Sequence, residues 1–269
     1  MQKKSLLVIL LTTLIFLSAC VLGVSTVYRV DEVTVRAATL SSQAETEAEQ
    51  LKNRLLESYE KESMFFVDDE AAQTVLAEFP YFRLTSIEKA YPNRLIFNVS
   101  EDEEVYAVAT QSGDGYYILN AEGTILSVRE DYINRKETDE NAKNVLISGL
   151  TLQGEKGGTL TGDECFEYVF AFLKQADNLL GGARRNLTEV QFIRGGSSPS
   201  TFVLKIKTIE GVTIYVRNPG SMTQKKAESA ITKYLNLDDG AHTKGMLVVY
   251  EQDENVVTMY SSSDNFDEN

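Results

Sequence analysis

The first apolar block of the chain is unbroken: Ser5 to Tyr28 contains no charged residue. As a helix rising 1.5 Å per residue it reaches roughly 36 Å, enough to cross a hydrocarbon core. Lys3 and Lys4 precede the block, and Arg29, Asp31 and Glu32 follow it. Positive charge on the short side places residues 1–4 in the cytoplasm and the remainder outside. A second reading of the same block stays open. Leu17-Ser18-Ala19-Cys20 fits a lipoprotein cleavage box, with Cys20 carrying the lipid, and a cleavable secretory signal also fits.

Beyond Tyr28 the apolar positions become periodic. Val30 to Arg36 alternates apolar and polar, which predicts a strand. Ser42 and Glu45 have capping-box spacing, and Ala44, Ala48, Leu51, Leu55 and Tyr59 then mark one helical face. A second helix is expected from Asp68, with Ala72, Val75, Leu76 and Phe79 inward and Pro80 ending it. Strands follow at Phe82–Ala90 and Arg94–Ser100, joined by the turn Tyr91-Pro92-Asn93. Strand, helix, helix, strand, strand makes a compact α+β unit.

The remainder predicts mostly strands. Glu104–Gln111, Tyr116–Leu119 and Thr124–Arg129 come first, and Glu130–Asn144 reads as a polar surface excursion. A helix opened by Thr161 and Glu164 buries Phe166, Val169, Phe170 and Leu173. Leu187–Arg194, Thr201–Thr208 and Val212–Arg217 are strands. Ser221 and Gln224 cap a helix whose face is Ala227, Ala230, Ile231, Tyr234 and Leu235. Met246–Glu251 and Val256–Tyr260 form a last hairpin, and Ser261–Asn269 is a small, acidic tail expected to be loose.

Composition narrows the function. The formal net charge of −14 argues against a nucleic-acid surface, which needs clustered Lys and Arg. One histidine, His242, and two cysteines, Cys20 and Cys165, leave little from which to build a zinc site or a disulfide framework. Ser58 and Lys61 have Ser-x-x-Lys spacing but lack the companion motifs of penicillin-interacting enzymes. His242 sits in a Gly/Asp-rich turn with no marked partner serine. Glu101–Glu104 could gather a calcium ion, but reads better as a solvated connection between domains. No catalytic, cofactor or metal pattern is therefore expected.

At these positions the sequence resembles the FtsQ/DivIB family of bacterial cell-division proteins. The resemblance rests on Pro80, then Tyr91-Pro92, then Leu95, Phe97, Val99 and Glu101, and on the hairpin Asn120-Ala121-Glu122-Gly123. It implies this organisation: a short cytoplasmic tail at 1–4, a transmembrane helix at 5–28, a POTRA domain (β-α-α-β-β) at 29–101, a mixed β-rich domain with two helices at 102–260, and a flexible acidic tail at 261–269. Where the family often has Glu-Arg-x-Pro, this chain has Asp102 and Glu104, and Ala37 replaces a usual glycine.

The resemblance also implies a non-enzymatic, single-span divisome scaffold in the cell membrane. Its partners would be FtsL-like and FtsB/DivIC-like bitopic proteins, with no nucleic acid, metal or cofactor. The family's mode of capture is strand addition to a sheet edge. The expected edge is Val256, Val257, Thr258, Met259 and Tyr260, with Val256, Thr258 and Tyr260 on the selective face. The alternative function is a lipid-anchored binding lipoprotein modified at Cys20.

Overall fold

A computed structural model describes residues 10–18, 23, 27–38, 40–137, 142–263 and 265–266. The chain divides into two compact units, Met1–Asp102 and Glu103–Asn269.

In the first unit, β1 (Glu32–Arg36) leads to α1 (Ser42–Tyr59), α2 (Glu70–Leu76), β2 (Phe82–Ala90) and β3 (Arg94–Glu101). The three strands form one sheet in the order β1-β3-β2, with β1 parallel and β2 antiparallel to the central β3. Alternation along β3 explains the layering: Leu95, Phe97 and Val99 are buried with Leu51, Leu55 and Tyr59 of α1, whereas Asn98 hydrogen-bonds Ser86 and Glu88 on the outer face. The cap of α1 falls one residue earlier than the spacing of Ser42 and Glu45 predicts. Ser41 Oγ accepts from Ala44 N, and the Ser41 N–H is taken by Glu101 Oε2 at 2.9 Å. The end of β3 thus supplies the acid that a capping box would draw from the helix itself.

In the second unit, one sheet of nine strands runs β12-β11-β10-β9-β8-β7-β4-β5-β6. Its strands are β4 (Tyr106–Ala109), β5 (Tyr116–Leu119), β6 (Ile125–Arg129), β7 (Val145–Ser148), β8 (Leu187–Arg194), β9 (Phe202–Thr208), β10 (Thr213–Arg217), β11 (Met246–Gln252) and β12 (Asn255–Ser261). Two helices, α3 (Cys165–Leu180) and α4 (Thr223–Leu235), join the inward-facing strand residues in one core. That core includes Val169, Phe172, Ile231, Ile214, Val216, Leu247 and Val249. The faces predicted for the two helices differ at their margins: Phe172 and Ala176 are buried in α3, Leu235 is 52% exposed, and Lys226 is fully buried in α4.

The membrane-spanning helix expected over 5–28 must be corrected. Among the described residues no helix is long and apolar enough to cross a membrane. Residues 10–18 are helical. The other residues of that expectation, apart from 23, 27 and 28, lie outside the described ones, as do Cys20 and the tail at 1–4. The described residues have an α+β fold with a large mixed sheet.

The sequence pattern marks no strand at β7, and its expectation for Glu104 changes. β7 lies next to the polar excursion, and it occupies an interior position in the sheet, parallel to both β4 and β8. Glu104, read as part of a solvated connection, is 3% exposed. Its carboxylate accepts both Arg129 Nη atoms at 2.8 and 2.7 Å and Asn144 Nδ2 at 3.1 Å, and Asn134 Nδ2 reaches its carbonyl at 2.9 Å. The excursion is thereby tied to the start of β4.

Candidate functional site

Strand β12 ends one side of the nine-stranded sheet. It pairs antiparallel with β11 from Met246↔Ser261 to Gln252↔Asn255, and among the described residues no strand lies on its other side. A row of main-chain donors and acceptors is therefore presented to a further strand. The hairpin turns through Asp253 and Glu254, both left-handed at φ 48° and 63°. Two such central residues make the tight turn that matches strand twist, and Asn255 Nδ2 closes it on Asp253 O at 2.9 Å.

The five expected edge residues divide by alternation. Val256 and Tyr260 pack against the core on the helix side. Thr258 lies on that side too, its hydroxyl 2.7 Å from Ser229 Oγ of α4. Tyr260 also donates to Lys244 O at 3.1 Å. These three were expected to be the selective face, yet they are turned toward α4. Val257 and Met259 register with Tyr250 and Val248 on the helix-free face, and Met259 is 57% exposed.

A groove flanks β12 on each side. One, of about 470 Å³, is bordered by Lys225, Ser229, Lys233 and Thr258 along α4. The other, of about 570 Å³, is bordered by Arg217, Val248, Tyr250 and Met259. The site is braced by Lys226, whose buried ammonium donates to Arg217 O at 2.9 Å and Asn218 O at 2.6 Å and pairs with Glu251 of β11. Burial pushes the Lys226 ammonium below its ordinary value. Hydrogen bonds from Lys226 and then Ser221 hold the Glu251 carboxyl below the usual carboxylate range. Lys226 escaped the sequence reading because a lysine at that helical position reads as solvated. Only the adjoining alanine face, Ala227 and Ala230, signals how closely α4 approaches the sheet.

The other candidates separate. His242 Nδ1 lies 2.8 Å from Glu210 Oε2, Nε2 lies 3.1 Å from Leu237 O, and Tyr234 also donates to Glu210 at 2.8 Å. Nδ1 makes no aligned hydrogen bond despite that separation, and Nε2 meets a carbonyl, so neither contact is to a hydroxyl nucleophile. Burial, then the Glu210 bond, pushes the Tyr234 hydroxyl up to about 12. Ser58 and Lys61 are both exposed, and Lys61 pairs with Glu60. The four acids from Glu101 to Glu104 engage Ser41, Arg83, Lys136 and Arg129 respectively, rather than converging on one point. Among the described residues no group of three or more His, Cys, Asp or Glu is placed to hold a metal ion. No protein-family model matches the sequence, and no curated protein matches it either.

Proposed function

We propose that the chain is a non-catalytic cell-division scaffold of the FtsQ/DivIB kind. In this reading it works at the outer face of the cytoplasmic membrane and captures small bitopic partners of the FtsL and FtsB/DivIC types by adding a partner strand to β12. The observation that carries the reading is the open edge of β12, seven residues long, with a groove on each side. The strand–helix–helix–strand–strand order of Glu32–Glu101 supports the resemblance from which the division role is drawn.

The grooves suggest what the added strand carries. Its side chains would alternate between the two. Those toward α4 meet Lys225, Lys233 and Glu228 among hydroxyls and an amide, which favours hydrogen-bonding residues. Those toward the open face meet Val248, Tyr250 and Met259, which favours apolar ones.

Successive residues of an edge strand turn their N–H alternately inward and outward, so Val257 and Thr258 provide one of each. Proline removes the donor at either position. The proline at the outward position leaves the β11 ladder whole, and the folded variant is expected to lose capture of a purified FtsB/DivIC-type partner. Depletion of the protein should make cells filament. A folded outward-proline variant that captures the partner with undiminished affinity removes the interface. Normal septation after clean deletion, with no second copy of the gene, removes the division role.

A further inference from the structure

Tyr215 lies on the helix-free face of β10, yet it is only 4% exposed. It is covered by Phe266 of the C-terminal segment. The two rings are 4.0 Å apart between centroids and 10° from parallel. Arg217 stands 5.2 Å from the Phe266 centroid and Lys205 5.5 Å from that of Tyr215. The stack is thus flanked by two cations, an arrangement that favours an aromatic ring in acidic company. The tail has that composition: Asp264, Phe266, Asp267 and Glu268 in a run of small polar residues. Strand register puts Lys205, Tyr215 and Val248 side by side on this face, so the slot adjoins the groove bordered by Arg217, Val248, Tyr250 and Met259.

The reach is short. β12 ends at Ser261, and with β11 between β12 and β10 the ring must travel about two strand spacings, roughly 9.5 Å. Five residues extend to about 17 Å. The span is therefore within reach of the segment without strain.

We propose that Tyr215, Arg217 and Lys205 form a receptor for an aromatic residue within an acidic peptide segment of a partner, and that the chain's own Phe266 occupies it as an intramolecular competitor. The receptor uses the face of the sheet rather than its edge, so it goes beyond the strand-addition reading and fails separately from it. Proline at Val257 or Thr258 tests the edge; the variants below test the slot.

The full chain contains no tryptophan, so Phe266→Trp introduces a single tryptophan at the contact, excited selectively at the red edge where tyrosine does not absorb. Its emission is expected to be blue-shifted and protected from acrylamide. Adding the synthetic peptide of residues 262–269 at millimolar concentration should move it toward the value in water. The same peptide, titrated into the full chain carrying Phe266→Ala, is expected to bind about tenfold more tightly than to the native chain, because the competing ring is gone. Tyr215→Ser in that background, or alanine for phenylalanine in the peptide, should abolish binding. Equal affinity for the native and Phe266→Ala chains overturns the proposal. So does Phe266→Trp emission identical to that of the unfolded chain, or emission that depends on protein concentration, which would put the ring on a second copy.

Discussion

Replacing Glu104 with alanine tests whether the buried carboxylate organises the second unit. The native side chain is 3% exposed, and the Arg129 side chain that grips it is 14% exposed. Alanine removes both charge-assisted bonds to Arg129, orphans the Asn144 amide and releases the Arg135 N–H, 3.3 Å from Oε2. Breaking a buried pair by deleting one partner costs about 3–5 kcal/mol, and the contacts that Arg129 keeps to Asp131 and to the Asp131 and Ile133 carbonyls place the cost at the lower end. With a urea slope of about 2 kcal/mol per molar, the midpoint should fall by roughly 1.5–2.5 M. Far-ultraviolet circular dichroism follows the transition, and amide exchange localises it. Protection should vanish at Asn134 and Asn144, whose N–H groups close the excursion on Ala142 O and Tyr132 O. A cycle with Arg129→Ala should give a double mutant cheaper than the sum of the singles by about 2 kcal/mol or more. A cost under about 1 kcal/mol for Glu104→Ala, or strictly additive singles, would refute the account.

Three further outcomes can be checked on the same chain. Glu251 has a folded value below its ordinary one, so its stabilising contribution is present above about 4.5 and is lost as pH falls through the lowered value. Urea midpoints at pH 7 and pH 3 should therefore differ less in Glu251→Gln than in the native chain. Glu254→Gly removes a side chain from a left-handed turn position at φ 63° and should raise stability by about 0.5–1 kcal/mol, read as a higher melting temperature. Gly245 has φ 91°, and an added Cβ would sit 2.3 Å from Ser261 O at the end of β12. Gly245→Ala should cost more than about 2 kcal/mol and loosen the edge strand, seen as faster exchange along β12.

The elements with regular alternation were legible in the sequence: β8 to β12 and the β-α-α-β-β order all announce themselves by period and by turn residues. β7 did not, because Val145–Ser148 is too short to display a period, and its parallel pairing brings no hairpin turn beside it. Glu104 and Lys226 were invisible for a shared reason. A charged residue is buried only where distant partners converge on it, and Arg129, Asn144 and Glu251 lie 25, 40 and 25 positions away along the chain. For the candidate site, the sequence located β12 but not which of its residues face α4, because the packing of that helix decides it. The tail was read as loose from its polarity, although the single aromatic residue within it was the available clue to a contact.

The short strand β7 has a consequence for how this sheet comes into being. On one side β4 to β6 are joined by antiparallel hairpin pairings, and on the other β8 to β10 are as well. Such neighbours can meet early because the loops they close are small. β7 must stitch these halves together through three register pairs to β4 and three to β8, between residues about forty positions apart. Gly149 follows it immediately, so close to Phe192 that a Cβ would fall 1.9 Å from the carbonyl oxygen. With the longest loops in the sheet to close through three register pairs on each side, the seam is expected to form later than the hairpins that flank it. In refolding, amide protection along β7 should therefore appear after that of β4 to β6 and of β8 to β10.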